Sequence, residues 1–167
     1  GRRSSDGAAA CESCVPGKSS SGRAPACTAC RTGRYTSAAG ASACTACGAG
    51  TFQDAPGQTS CVDCPPGSSQ PDTGQDACDP CEPGEFMNST GAAACRMCST
   101  DLGKGYSSRE GAATCDSATI DYYWDDATGR PKECPQPGGD CSTEGTTVAT
   151  IETLPNFFRL SDTSVAF

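Results

Sequence analysis

The side chains here best equipped for chemistry are the cysteines, 15 of them in a chain of 167 residues. Twelve fall in six CxxC pairs, which start at Cys11, Cys27, Cys44, Cys61, Cys78 and Cys95. The steps between pairs are 16, 17, 17, 17 and 17 residues. Cys115 follows after an insertion, and Cys134 and Cys141 lie further on. Thiols at this spacing can cage a metal, exchange electrons or staple the chain.

A zinc reading joins two CxxC knuckles per ion: Cys11, Cys14, Cys27 and Cys30; then Cys44, Cys47, Cys61 and Cys64; then Cys78, Cys81, Cys95 and Cys98. The spacing allows it. It leaves Cys115, Cys134 and Cys141 without a role, and it makes the unit two pairs long where the sequence repeats every pair. A redox reading needs a thioredoxin-like βαβ setting, which the chain lacks. A disulfide reading follows from the period. The simplest translation-invariant rule joins the second Cys of one unit to the first Cys of the next. That gives Cys14–Cys27, Cys30–Cys44, Cys47–Cys61, Cys64–Cys78, Cys81–Cys95 and Cys98–Cys115, with Cys134–Cys141 closing a small loop. Cys11 then pairs with a missing upstream Cys. A crossed scheme within two-unit modules (Cys11–Cys27 with Cys14–Cys30, and so on) stays open, because spacing does not fix connectivity. Each loop of this size stabilises the fold by about 3 kcal/mol in the chain-entropy account.

The elements that would position these thiols also repeat. Three residues after the second Cys comes Gly17, Gly33, Gly50, Gly67 or Gly84, often preceded by Pro. Two further on stand Ser19, Tyr35, Phe52, Ser69 and Phe86, and a later glycine recurs at Gly40, Gly57, Gly74 and Gly91. The last unit supplies Gly105, Tyr106 and Gly111. Pro-Gly is turn chemistry. The run from the aromatic to the later glycine reads as one strand of a small hairpin, the glycine as its turn, and the run to the next Cys as the return strand. The expected fold is small and disulfide-rich: an elongated tandem array of short β-hairpin repeats with a small irregular or β tail. Residues 1–10 read as a lead-in from a truncated upstream repeat, 11–115 as the array and 116–167 as a disulfide-containing tail module.

Composition agrees. With 20 Gly, 12 Pro, two Met and one Trp, a large apolar core is out of reach, and crosslinks must offset chain entropy. The net charge is −8, with no basic cluster to track a phosphate backbone, so nucleic acid is not an expected partner. No stretch reaches the ~20 apolar residues of a membrane span. No apolar run follows Arg2 and Arg3, so a secretory signal, if used, is expected upstream. There is no His, which removes the commonest general base. No nucleophile elbow, P-loop or dinucleotide fingerprint occurs. The expectation is no enzyme and no cofactor.

The unit C-x-P-G-x-[FY]-x4-G-x3-C-x-x-C resembles the ephrin-receptor-like (GCC2/GCC3-type) cysteine-rich repeats. These are relatives in style of tumour-necrosis-factor-receptor and EGF-like modules. The likeness is clearest in "CGAGTFQDAPGQTSCVDC" and "CEPGEFMNSTGAAACRMC". The tail resembles the segment that follows such repeats in very large surface proteins of algae and other protists. Asn156, Phe157, Phe158, Arg159 and Leu160 stand where that segment reads Gly-Tyr-Trp-Arg-Leu, so its Gly and Trp are replaced. The chain stops where another Cys is due, as expected of a piece of a longer protein. The resemblance implies an extracellular location, contact with protein or matrix, and no catalytic residues.

Three other features invite roles. Asn88-Ser89-Thr90 is an N-glycosylation sequon in a predicted hairpin turn. Tyr122, Tyr123 and Trp124 form either a small core for the tail, packed on Phe157 and Phe158, or a platform for sugar or protein. Asp121, Asp125 and Asp126 lack the loop spacing of a calcium site and read as an acidic turn. The expected function is a non-catalytic extracellular structural or adhesive segment, a disulfide-stapled rod in a cell-surface appendage or matrix assembly. Its partners would be other copies or other extracellular proteins, with glycans. The alternatives are a receptor ectodomain binding a protein ligand and a zinc-ribbon array.

Overall fold

A computed structural model of the chain describes residues 2–4, 11–21, 26–135, 139–147, 149–150 and 152–153. Among them the chain forms nine two-stranded sheets and one turn of helix, Cys98–Asp101. It divides into two compact units, Gly1–Asp79 with Ser89–Ala94, and Pro80–Asn88 with Cys95–Phe167.

In the first unit Arg2–Ser4 pairs with Cys11–Ser13, Lys18–Ser19 with Thr28–Ala29, Arg34–Tyr35 with Thr45–Ala46, and Thr51–Phe52 with Val62–Asp63, all antiparallel. Ser68–Ser69 pairs with Asp79–Pro80. The strands therefore differ from the sequence reading. The first is the aromatic and the residue before it, and the return strand is the pair of residues inside the CxxC. The run between them is loop. The physical reason is the disulfide. It closes the base of each hairpin, so pairing is strongest beside it, and residues further up the loop bond to the neighbouring repeat instead.

Those outward bonds recur with the period. The loop glycine of each repeat donates its N–H to the carbonyl of the preceding repeat's second Cys. The pairs are Gly40 to Cys14, Gly57 to Cys30, Gly74 to Cys47 and Gly91 to Cys64, at 2.7–2.9 Å. The glycine after the CxxC donates forward to the next repeat: Gly17 to Thr36, Gly33 to Gln53 and Gly50 to Gln70. Six residues past the second Cys, the N–H of Ser20, Thr36, Gln53 and Gln70 reaches the carbonyl of Ala41, Gln58, Gln75 and Ala92. Loop residues 89–94 belong to the first unit because two of these bonds, from Gly91 and to Ala92, tie them to its fourth repeat.

Contact reaches two repeats along. Gly33 has φ +73°, and a Cβ there would lie 1.9 Å from the Gly74 carbonyl oxygen. Gly17 meets the carbonyl of Gly57 in the same way, and Gly50 that of Gly91. Only a residue without a side chain fits both the backbone twist and the gap.

The second unit holds Glu85–Phe86 with Arg96–Met97, Tyr106–Ser107 with Ser117–Ala118, Tyr122–Asp125 with Arg130–Glu133, and Gly139–Asp140 with Glu152–Thr153. The same bonds recur: Gly84 to Ser108, Met87 to Ala112, and Gly111 to the Cys81 carbonyl. They also continue past Cys115. Ala118 is fully buried, like the second cysteines. Its carbonyl accepts the Gly145 N–H at 2.8 Å, Cys134 N donates to Asp121 O, and Trp124 N to Thr146 O. Tyr122 pairs with Glu133 and Tyr123 with Lys132, the register the bridged repeats use relative to their cysteines. Residues 118–134 are thus a repeat with Ala118 and Pro131 at its two Cys positions. Asp121 stands where the others have glycine, and its φ of +70° makes it the one non-glycine residue at positive φ among the described residues. The junction is shifted by one residue, since Thr119 rather than Ala118 donates to the Gly105 carbonyl.

Gly33→Ala should lower stability by about 2 kcal/mol or more, from the left-handed backbone and the overlap with Gly74. Gly48, with nothing within 4 Å of its Cβ position, should tolerate Ala within ~0.5 kcal/mol. Denaturant unfolding with the disulfides intact measures both.

Candidate functional site

The structure closes seven disulfides: Cys14–Cys27, Cys30–Cys44, Cys47–Cys61, Cys64–Cys78, Cys81–Cys95, Cys98–Cys115 and Cys134–Cys141. The crossed scheme is replaced by this serial one, because each bridge spans the base of its own hairpin. A sulfur held in a disulfide is not a thiolate ligand, so the zinc cages lose their donors. The side chain of Cys11 lies outside the described residues.

Burial is asymmetric within each bridge. Cys14, Cys30, Cys47, Cys64, Cys81 and Cys98 are at most 1% exposed, whereas Cys27, Cys44, Cys61, Cys78 and Cys95 are half-buried. The sulfurs serve as the core. Position five after the second Cys packs on the next bridge. Phe86 lies against Cys98–Cys115 with Tyr106 beside it, and Ser19 Oγ sits 3.3 Å from Cys44 Sγ. Arg96 covers the other face of Phe86, 5.6 Å from its centroid, and pairs with Asp101.

The next position, six after the second Cys, is buried in repeat after repeat: Ser20, Thr36, Gln53, Gln70 and Met87. The glutamines brace their own loops. Gln53 Nε2 donates to the Ser60 carbonyl and its Oε1 accepts from Ala55 N; Gln70 does the same with Ala77 and Asp72. The sequence pattern of cysteines and glycines gave no notice of this, although Gln recurring at one repeat position was a readable signal. The position after it is exposed each time: Ser21, Ser37, Asp54, Pro71 and Asn88. Asn88, Ser89 and Thr90 all face solvent.

Of the aromatic cluster, Tyr123 is buried against Cys134 and Cys141. Trp124 stands edge-on to Tyr106 with centroids 6.1 Å apart. Tyr122 lies over Gly105, where a Cβ would come within 2.5 Å of its ring. These three residues act as core. Phe157 and Phe158 lie outside the described residues. Asp121 and Asp126 are exposed, while Asp125 is 7% exposed and fully engaged. Its carboxylate takes Lys132 Nζ at 2.5 Å, Thr128 Oγ1 at 2.9 Å and Ala127 N at 3.1 Å. Among the described residues no group of three or more His, Cys, Asp or Glu could hold a metal ion. An open depression of about 300 Å³ is lined by Ser108, Arg109, Glu110, Ser117 and Glu144 among others, with Glu144 accepting from the Ser107 hydroxyl.

Lys132 and Thr128 hold the Asp125 carboxyl below the usual carboxylate range, and Asp125 in turn raises Lys132. Asp125 is the depressed member, so its contribution is present above the ordinary carboxylate pKa of about 3.9 and lost as pH falls through the lower folded value. The fluorescence of Trp124, the single tryptophan, should stay constant from neutral pH to about pH 4 and change below it. Asp125→Asn should remove that change.

Residues 17–57 and, overlapping them, 35–74 match the family described as tyrosine-protein kinase ephrin type A/B receptor-like. No curated protein matches the chain. Residues 17–74 are ephrin-receptor-like cysteine-rich repeats, of a kind typical of extracellular domains, and no catalytic domain is identified. Seven disulfides with such repeats suggest an oxidising, extracellular setting.

Proposed function

We propose that this segment is a non-catalytic, tension-bearing spacer in an extracellular assembly, a surface appendage or matrix whose other members include further copies or other matrix proteins. The observation that supports it is the coupling of serial bridges to repeated bonds between neighbours. Each second Cys closes its own loop through sulfur and holds the next loop through its carbonyl. The disulfides limit extension. The Cα atoms of Cys30 and Cys44 are 5.7 Å apart, and the three residues to the next bridge add about 10 Å. An opened repeat therefore lengthens to only about 16 Å, against roughly 58 Å for 17 unbridged residues.

Pulling the full chain from its ends tests this. Each of the six bridged repeats should lengthen to about 16 Å without reductant and to roughly 58 Å with it. Equal lengths in both conditions would defeat the spacer reading.

A receptor ectodomain is the second reading. It is favoured by the exposed loop position that changes residue from repeat to repeat while the buried one beside it does not vary in burial. A monomer that captures a soluble protein through those loops would support it over the spacer.

Asn88 occupies that exposed position, and we assign it an N-linked glycan. In a secreted preparation, amidase treatment should remove an oligosaccharide mass and convert Asn88 to Asp. Asn88→Gln should lack the mass from the start. An unmodified Asn88 in secreted, fully bridged protein would remove the assignment and leave the spacer reading intact.

A further inference from the structure

Every repeat from Cys14 to Cys115 is locked by a disulfide at its hairpin base. The repeat at 118–134 keeps the hydrogen bonds of the others with no bridge. Its two vacant cysteine positions are the two that would pair with each other, Ala118 and Pro131. Their separation of 13 residues is that of Cys14 and Cys27. The bridge has been lost as a pair, and reversible contacts stand in its place. The strands lengthen from two residues to four. Asp125 and Lys132 join across them, Tyr123 packs on Cys134–Cys141, and Trp124 meets Tyr106.

We propose that residues 118–134 are a reversible length reserve, the one repeat of the series that opens fully under load without reduction. The spacer reading supplies its use, but the opening itself is a property of the chain. Cys115 and Cys134 belong to different bridges, so the 19 residues from one to the other carry no crosslink. Fully drawn out they span about 65 Å. With a bridge between positions 118 and 131 the same stretch would span about 26 Å. Oxidation of two thiols there would form the S–S bond, with two electrons and two protons passing to the oxidant of the folding buffer.

The test compares the full chain with Ala118→Cys/Pro131→Cys, after intact mass has shown whether an eighth bridge has closed. The native chain should release about 40 Å more length than the bridged variant, and a reductant should restore that length to the variant. Asp125→Ala should leave the length of the event unchanged and lower its force. Two results would overturn the proposal. One is failure of the eighth bridge to close while the other seven do, which would mean that 118–134 does not share the register of the bridged repeats. The other is closure of the bridge with no loss of extension, which would place the release elsewhere. Lengthening of the six bridged repeats beyond about 16 Å without reductant would strike the spacer reading alone.

Discussion

The second cysteine of each repeat carries two constraints at once. Its sulfur, almost wholly excluded from water, closes the hairpin that follows. Its backbone carbonyl accepts the N–H of the loop glycine one repeat on. The covalent bond removes conformational freedom from a loop too small to fold by itself. The hydrogen bond then fixes where the next loop sits. With few large apolar side chains, burial alone could not do either.

The glycines follow from that arrangement. Once the loop of one repeat is held on the cysteine of another, the backbone two repeats along comes close enough to exclude a Cβ at Gly17, Gly33 and Gly50. The turn glycines are thus selected twice, by the left-handed backbone and by the passing carbonyl. The same packing explains the alternation in the loop. Ser20, Thr36, Gln53, Gln70 and Met87 turn inward, where polar members satisfy loop backbone groups, and the next residue turns outward. Such a scheme leaves one side chain per repeat free to vary, which is where a partner or a modification can act without disturbing the fold.

A repeat can lose its bridge if its neighbours still hold it. Residues 118–134 show the cost and the replacement. Asp121 accepts a backbone conformation that favours glycine, and a longer ladder, an ion pair and two aromatic contacts do the work of one S–S bond. Noncovalent contacts of this kind break and re-form, which a disulfide in an oxidising setting does not do readily. The chain therefore combines inextensible repeats with one that is held only by equilibrium.

Much of this could be read from residue order. The period of 17 and the paired cysteines named the repeat class, and Pro-Gly and the recurring glycines placed turns, because thiol spacing and positive φ are local properties of residue type. The sequence could not separate serial from crossed pairing, since connectivity depends on which cysteines the folded backbone brings within reach. Nor could it place the strands inside CxxC, because that follows from bonds to a neighbouring repeat. The unbridged repeat was hidden for the same reason. Ala118 and Pro131 have no cysteine to reveal them, and only hydrogen bonds made across 16 to 27 residues, from Cys134 back to Asp121 at the near end and from Gly145 back to Ala118 at the far end, show that they stand where cysteines stand elsewhere.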